Sequence, residues 1–320
     1  MIFTGGLMNQ APFLPVNHPQ PNFLHWLGSL WKFSRPHTII GTSLSVLSLY
    51  LIALGNISDF FSHWSVLLLT WTACLAGNVY IVGLNQLEDI DIDKINKPHL
   101  PLAKGEFSRL TGGLIVGFSG ILAIILAFIG GFWLLITVGI SLLIGTAYSL
   151  PPVRLKRFPL WSAFCIFTVR GVIVNLGLFR HYNTVINQNQ SIYPSVWVLT
   201  AFVLVFTVAI AIFKDVPDLE GDRIYQITTF TLLLGPQKIL TISLLTISLC
   251  YAGMIAVGLL GINGINSSLA IVAHLLLLVL LWWRSRGVNL EDKSEISQFY
   301  QFIWKLFFLE YLIFPLACLI

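Results

Sequence analysis

Apolar runs long enough to cross a bilayer recur along this whole chain, and no other feature constrains its fold as much. A spanning helix needs roughly 20 predominantly apolar residues. Nine such runs are read near 38–55, 65–84, 112–129, 132–150, 160–179, 195–213, 238–260, 266–283 and 301–320, the third and fourth parted only by Gly130 and Gly131. Charged residues make up 10% of the sequence, against about a quarter in soluble domains. The expectation is an all-α, polytopic membrane protein. Residues 1–30 read as an N-terminal cytoplasmic segment and 31–320 as one transmembrane domain.

The basic residues give this bundle an orientation. Lys32 and Arg35 precede the first run; Lys94, Lys97, Lys104 and Arg109 follow the second; Arg154, Lys156 and Arg157 follow the fourth. Lys214, Arg223 and Lys238 follow the sixth, and Arg284, Arg286 and Lys293 the eighth, whereas the opposite connections hold only Arg180. The positive-inside rule puts the basic connections and the N-terminus in the cytoplasm. Residues 1–26 carry no Lys or Arg and no cleavable apolar core. They read neither as a secretory signal nor as an Arg-rich transit peptide. The four cysteines lie scattered in apolar segments without a CxxC, and the seven histidines form no HExxH or HxxxH pair. Zinc is therefore not expected, and nothing points to nucleic acid.

Eight of the fourteen acidic residues fall in two short clusters, where a span runs out of hydrocarbon on the basic side. The first is Glu88, Asp89, Asp91 and Asp93, and the second Asp215, Asp218, Glu220 and Asp222. Asn85, Asp89 and Asp93 are four apart; Asp215, Asp218 and Asp222 are three and then four apart. On helices, either set would stack along one face. Like charges so placed repel, more strongly near a membrane than in bulk water. The arrangement makes sense if a cation fills the gap. Oxygen ligands without His or Cys favour Mg²⁺, which keeps several waters and also binds phosphates. Solvated juxtamembrane acids are the plainer alternative; Ca²⁺ lacks its EF-hand spacing. Neighbouring Lys and Arg residues, with metal, would suit a diphosphate, or would serve only to orient the protein.

Asn85-x-x-x-Asp89-x-x-x-Asp93, paired with a second acid motif four spans later, resembles the UbiA superfamily of intramembrane prenyltransferases. The likeness extends from Trp31 onward and implies a nine-transmembrane-helix UbiA-type bundle. The phrases FSRPHTIIGT (33–42), LNQLEDIDIDKINKPHLPLAKGE (from Leu84), YSLPPVRLKRFP (from Tyr148), RGVIVNLG (from Arg170) and IAIFKDVPDLEGD (ending at Asp222) are most similar to homogentisate prenyltransferases. Glu88 and His99 depart from the family's pattern.

That resemblance implies a reaction: phytyl diphosphate and homogentisate give a methyl-phytyl-benzoquinol, with loss of diphosphate and CO₂, on the way to tocopherol. It implies catalytic roles for Asn85, Asp89, Asp93, Asp218 and Asp222, which with Asp215 would hold Mg²⁺. Arg35, Lys97, Lys156 and Lys214 become candidates for the diphosphate. A photosynthetic bacterial membrane, cyanobacterial inner or thylakoid, is the implied compartment.

Charges within spans are costly and mark function by default. Arg170, with Asn175, sits in the fifth span and Glu310 in the ninth. Arg170 is expected to bind the acceptor's carboxylate with Asn175 beside it, or else to pair structurally with Glu310. His37 and His274 read as packing or interfacial residues, and Lys305 as snorkelling from the start of span nine. Another acceptor (4-hydroxybenzoate, dihydroxynaphthoate, chlorophyllide) would use the same acids. A cation transporter would instead place acids near the midplane on discontinuous helices.

Overall fold

The computed structural model describes residues 22–225 and 227–320. Residues 1–21, most of the expected N-terminal segment, lie outside the described residues. The chain opens with α1 (Phe23–Phe33) and α2 (Pro36–Leu54), and a 3₁₀ turn (Ile57–His63) leads into α3 (Trp64–Glu88). Two short helices come next, α4 (Ile90–Asn96) and α5 (Pro101–Lys104), then α6 (Arg109–Gly130) and α7 (Phe132–Ser149). After them, α8 (Pro159–Phe167) continues through a π-helical turn (Thr168–Ile173) into α9 (Val174–Asn187). The remainder is α10 (Pro194–Phe213), short α11 (Leu219–Ile224) and α12 (Phe230–Leu234), α13 (Pro236–Leu260), α14 (Ser267–Ser285) and α15 (Lys293–Leu319).

Among the described residues nine helical spans are long and apolar enough to cross a membrane, matching the nine runs read from the sequence. Proline begins α2, α8, α10 and α13. Its missing N–H costs nothing there, because the first helical amides have no partner within the helix. The ninth span begins at Lys293, before the apolar run does. Lys305 is therefore mid-helix and exposed, not at the helix's entry.

Sidedness follows from which residues can approach. On α6, Leu114, Phe118, Ile121, Ile125 and Phe128 stand exposed, three or four apart, as a lipid-facing stripe requires. The opposite face is small: Gly112, Ser119, Gly120, Ala123 and Ala127 are buried against α3. At Gly120 an added Cβ would meet the Tyr80 ring at 2.7 Å, so glycine makes room for that ring between α3 and α6, where small residues favour helix packing in a membrane. The most enclosed span is α10, 67% of which is buried; Phe202, Phe206 and Phe213 fill the space between it and α13 and α15.

One end of this bundle carries the connections α3–α6, α7–α8 and α10–α13. Contacts among Asp89, Lys156, Asn96 and Asp222 prove that the three meet. The acid clusters, four spans apart in sequence, are neighbours.

Candidate active site at one end of the bundle

The first acid motif straddles a helix break. Asn85 belongs to α3, Asp89 is the junction residue with φ −114° and ψ 19°, and Asp93 lies on α4. Backbone bonds from Asp89 N–H to Asn85 O (3.1 Å) and from Asp93 N–H to Asp89 O (2.7 Å) keep the four-residue spacing across the break. The expected stacking survives: the Asn85 amide donates to Asp89 Oδ2 at 3.1 Å. The second motif departs from the one-helix expectation. Asp215 sits in the turn after α10, Asp218 caps α11 and Asp222 lies within it. A tighter three-residue turn bond, Asp218 N–H to Asp215 O at 3.3 Å, joins the first two, and a four-residue bond, Asp222 N–H to Asp218 O at 3.2 Å, joins the last two.

Basic side chains from two other connections, α1–α2 and α7–α8, and from the acids' own connections close on these acids. Asp89 accepts from Arg154 (3.0 Å) and Lys156 (2.6 Å). Asp218 pairs with Lys97, and Asp215 with Lys214 at 2.7 Å. Arg35 donates to Asn85 Oδ1 at 3.1 Å. All four sequence-predicted cations are therefore at the site. Arg154, one of the basic residues beside the clusters in the sequence but not one of the four candidates, is at the site as well; it stands inside the phrase from Tyr148 that carries the family resemblance. Arg35 and Arg154 both have left-handed backbones, with φ 53° and 39°. Such a conformation costs about 1–3 kcal/mol and persists only where the surroundings enforce it. For Arg35 the enforcement comes from α3: Gln86 donates to Phe33 O at 2.6 Å, and Asn78 donates to Thr38 Oγ1 at 3.0 Å.

Burial sets the charge balance. Asp93 is 4% exposed and its Oδ2 has no partner among the described residues. Burial raises its pKa, while Arg35 and Lys97 pull the other way. Asp222 is raised to about 7, by burial first and then by Asp218 and Asp215. Burial also lowers the Lys156 ammonium's pKa, against the pull of Asp89. An orphaned buried carboxylate oxygen and an all-oxygen donor set fit a hard divalent cation. Among the described residues no three His, Cys, Asp or Glu side chains already converge as a metal cage. Mg²⁺ does not demand one, because water and substrate phosphate supply most of its ligands.

A cavity of about 270 Å³ runs from this cluster into the bundle. Its wall includes Arg35, Asn85 and Lys214, His37, Tyr300 and Trp304 with Arg170 beside them, and, farther along the fifth span, Val174 and Leu178. Arg170 projects from the π-helical turn, with its guanidinium carbon 5.0 Å from the Trp304 ring centre and 5.8 Å from that of Phe307. The expected alternative, a pair between Arg170 and Glu310, is not formed. Glu310 instead meets His274 at 2.8 Å in a fully buried contact between α14 and α15. His274 is thus a bonded partner and not simple packing. Asn175, expected beside Arg170 in binding, is fully buried and absent from the cavity wall. Its amide donates to the carbonyls of Arg170 (3.3 Å) and Gly171 (2.9 Å), and Tyr311 donates to it at 3.0 Å. Those bonds satisfy carbonyls that the wider π turn disturbs, so Asn175 supports Arg170 from behind.

Residues 42–306 match the model of the UbiA prenyltransferase family. The chain is 56% identical over 292 residues to a homogentisate phytyltransferase of Synechocystis sp. (90% of this chain, 95% of the relative). It is 42% identical to homogentisate phytyltransferase 1, chloroplastic, of Arabidopsis thaliana (93% of this chain, 77% of the relative). A UbiA homolog from Archaeoglobus fulgidus, solved bound to GPP and Mg²⁺, has the same fold. Its TM-score is 0.60 at 17% identity, over 91% of this chain and 99% of that one.

Proposed function

As a member of the UbiA prenyltransferase family, this integral, multi-pass membrane protein is one that we propose transfers a phytyl group from phytyl diphosphate to homogentisate, with decarboxylation, giving 2-methyl-6-phytylbenzoquinol for tocopherol synthesis. The observation that carries this reading is the cavity whose wall holds both Arg170 and the residues Arg35, Asn85 and Lys214, of which Asn85 and Lys214 contact the two acid clusters. Identity of 56% to the Synechocystis phytyltransferase supports the choice of substrates.

The diphosphate belongs at the acid clusters. Asn85, Asp89 and Asp93 on one side, and Asp215, Asp218 and Asp222 on the other, would hold Mg²⁺; the Archaeoglobus homolog, solved with Mg²⁺ bound, supports the choice of metal. When bound, the metal neutralises charge on the departing diphosphate. Lys97, Lys156 and Lys214, now turned to carboxylates, are within the same cluster. With Arg35 and Arg154 they give phosphate oxygens charge-assisted donors.

Loss of diphosphate leaves an allylic cation beside the rings of Tyr300 and Trp304. A ring face stabilises a cation by about 0.5–2 kcal/mol, and the apolar wall excludes water that would quench it. The electron-rich hydroquinone ring then attacks, the substituted ring carbon gives up its proton, and the side chain loses CO₂ and takes up a proton to become methyl. In the same cavity, Arg170 binds the acceptor's carboxylate and orients that ring toward the cation. The site then faces the cytoplasm, in a cyanobacterial-type membrane.

An isotope-labelled assay on membranes holding this protein tests the reading, with phytyl diphosphate and homogentisate supplied with and without Mg²⁺, beside Asp89→Ala. A prenylated quinol that requires metal and Asp89, with CO₂ released, is expected. Prenylation of 4-hydroxybenzoate but not homogentisate would overturn the acceptor, and product from Asp89→Ala would overturn the site.

A further inference from the structure

Asn96 belongs to neither acid motif, yet it is the side chain that joins them. It ends α4, one helical turn beyond Asp93, and is 6% exposed. Its Oδ1 accepts the Gly221 N–H at 2.9 Å, and its Nδ2 donates to Asp222 Oδ1 at 3.4 Å. The amide's orientation is fixed by chemistry: a backbone N–H only donates, so the oxygen must face Gly221 and the NH₂ must face Asp222. That NH₂ in turn engages one oxygen of Asp222 as an acceptor. Gly221 makes the approach possible, since a Cβ there would overlap the Asn96 amide.

We propose that Asn96 is a positioning residue that locks α4 to α11 and so sets the gap between the two acid clusters. The proposal rests on the metal reading above. Asp222 accepts from Asn96 directly, and Asp93 shares α4 with it, one turn earlier, so the bridge bears on one carboxylate of each cluster. Without it, short helices of seven and six residues would be left to hold Asp93 and Asp222 in register with each other. Helices so short have little stability of their own.

The test uses the purified full chain and Mn²⁺ alone, with free Mn²⁺ read by electron paramagnetic resonance. Wild type is compared with Asn96→Ala, Gly221→Ala, the double variant and Asp89→Ala, each checked for an intact thermal transition. Asn96→Ala should bind Mn²⁺ about tenfold more weakly, the scale of a lost hydrogen bond to a charged group. Gly221→Ala should do the same by expelling the amide, and the double variant should be no worse than either single, because the two changes break one contact. Binding unchanged in Asn96→Ala and Gly221→Ala, but lost in Asp89→Ala, would overturn the bridge and leave the metal site standing. Binding unchanged in Asp89→Ala would overturn both. Gly221→Ala carries the test by itself if Asn96→Ala fails to fold.

Discussion

The guanidinium of Arg170 lies 5.0 Å from the centre of the Trp304 ring, and Gly41 leaves it room: a Cβ there would stand 3.0 Å from Arg170 Nη1. Two helices, α2 and α15, thereby hold a charge that has no carboxylate partner among the described residues. A cation at membrane depth normally has one, and in the proposed reaction the acceptor's carboxylate would take that part.

Replacing Arg170 with Met removes the charge while keeping much of the volume. The KM for homogentisate should rise roughly 10- to 150-fold, equivalent to losing a charged hydrogen bond of about 1.5–3 kcal/mol. The KM for phytyl diphosphate should hold. Steady-state kinetics with each substrate varied in turn would check this; an unaltered acceptor KM with less folded protein would make Arg170 structural.

Gly41→Ala should act through the same group. The new methyl crowds Nη1 and pushes the guanidinium along the Trp304 ring, raising the acceptor KM by less than Arg170→Met does. In the double variant the Gly41 change should add nothing, because its target is gone. Additive losses would mean that Gly41 serves packing against Phe308 and Trp304 instead.

Asp222 gives the site a pH signature. Its pKa is raised from 3.8 to about 7, mainly by burial. Between those values the folded protein holds a proton that the unfolded chain has released. Stability from this group therefore falls as pH rises from about 4 to 7 and is level beyond. Melting curves of the detergent-solubilised, metal-free protein should show a declining midpoint over that window, and Asp222→Asn should flatten it. Added Mg²⁺ should reverse the trend by favouring the carboxylate. A profile that is the same in Asp222→Asn would exclude this origin.

His274 and Glu310 offer a test of stability apart from chemistry. His274 Nδ1 stands 2.6 Å from the Ala270 carbonyl and Nε2 2.8 Å from Glu310; neither residue lines the cavity. His274→Ala strands a buried carboxylate at a cost of about 3–5 kcal/mol, whereas a paired change to apolar residues costs much less. The melting temperature should drop sharply in His274→Ala and recover in His274→Leu/Glu310→Leu. Activity per folded molecule should stay level in both.

Much of this architecture was legible in the chain. Apolar runs of about 20 residues announce spans because hydrocarbon tolerates little else, and charge asymmetry counts them a second time. The four-residue spacing of Asn85, Asp89 and Asp93 also carried through, as the Asn85–Asp89 bond attests. Pairing across the bundle was not legible. Nothing local tells that Glu310 meets His274 on the preceding span, or that Arg154 reaches back 65 residues to Asp89. The break at Asp89 was hidden too, since spacing alone does not distinguish one helix from two joined in register. Asn96 escaped because an uncharged residue beside an acid motif gives no signal until its partners are known.

The π-helical turn at Thr168–Ile173 has one residue more than an α-helix would use over the same rise, and the wider turn absorbs that surplus without rotating the helix on either side of it. Removing a single residue there would let α8 and α9 join as one even helix with their outer faces unchanged, so that only the side chains within the turn are re-aimed. Arg170 is one of them, and it would take a new direction while the rest of the span stayed in place. Its aim is therefore set partly by residue count, and a one-codon deletion probes that aim with almost every other side chain kept.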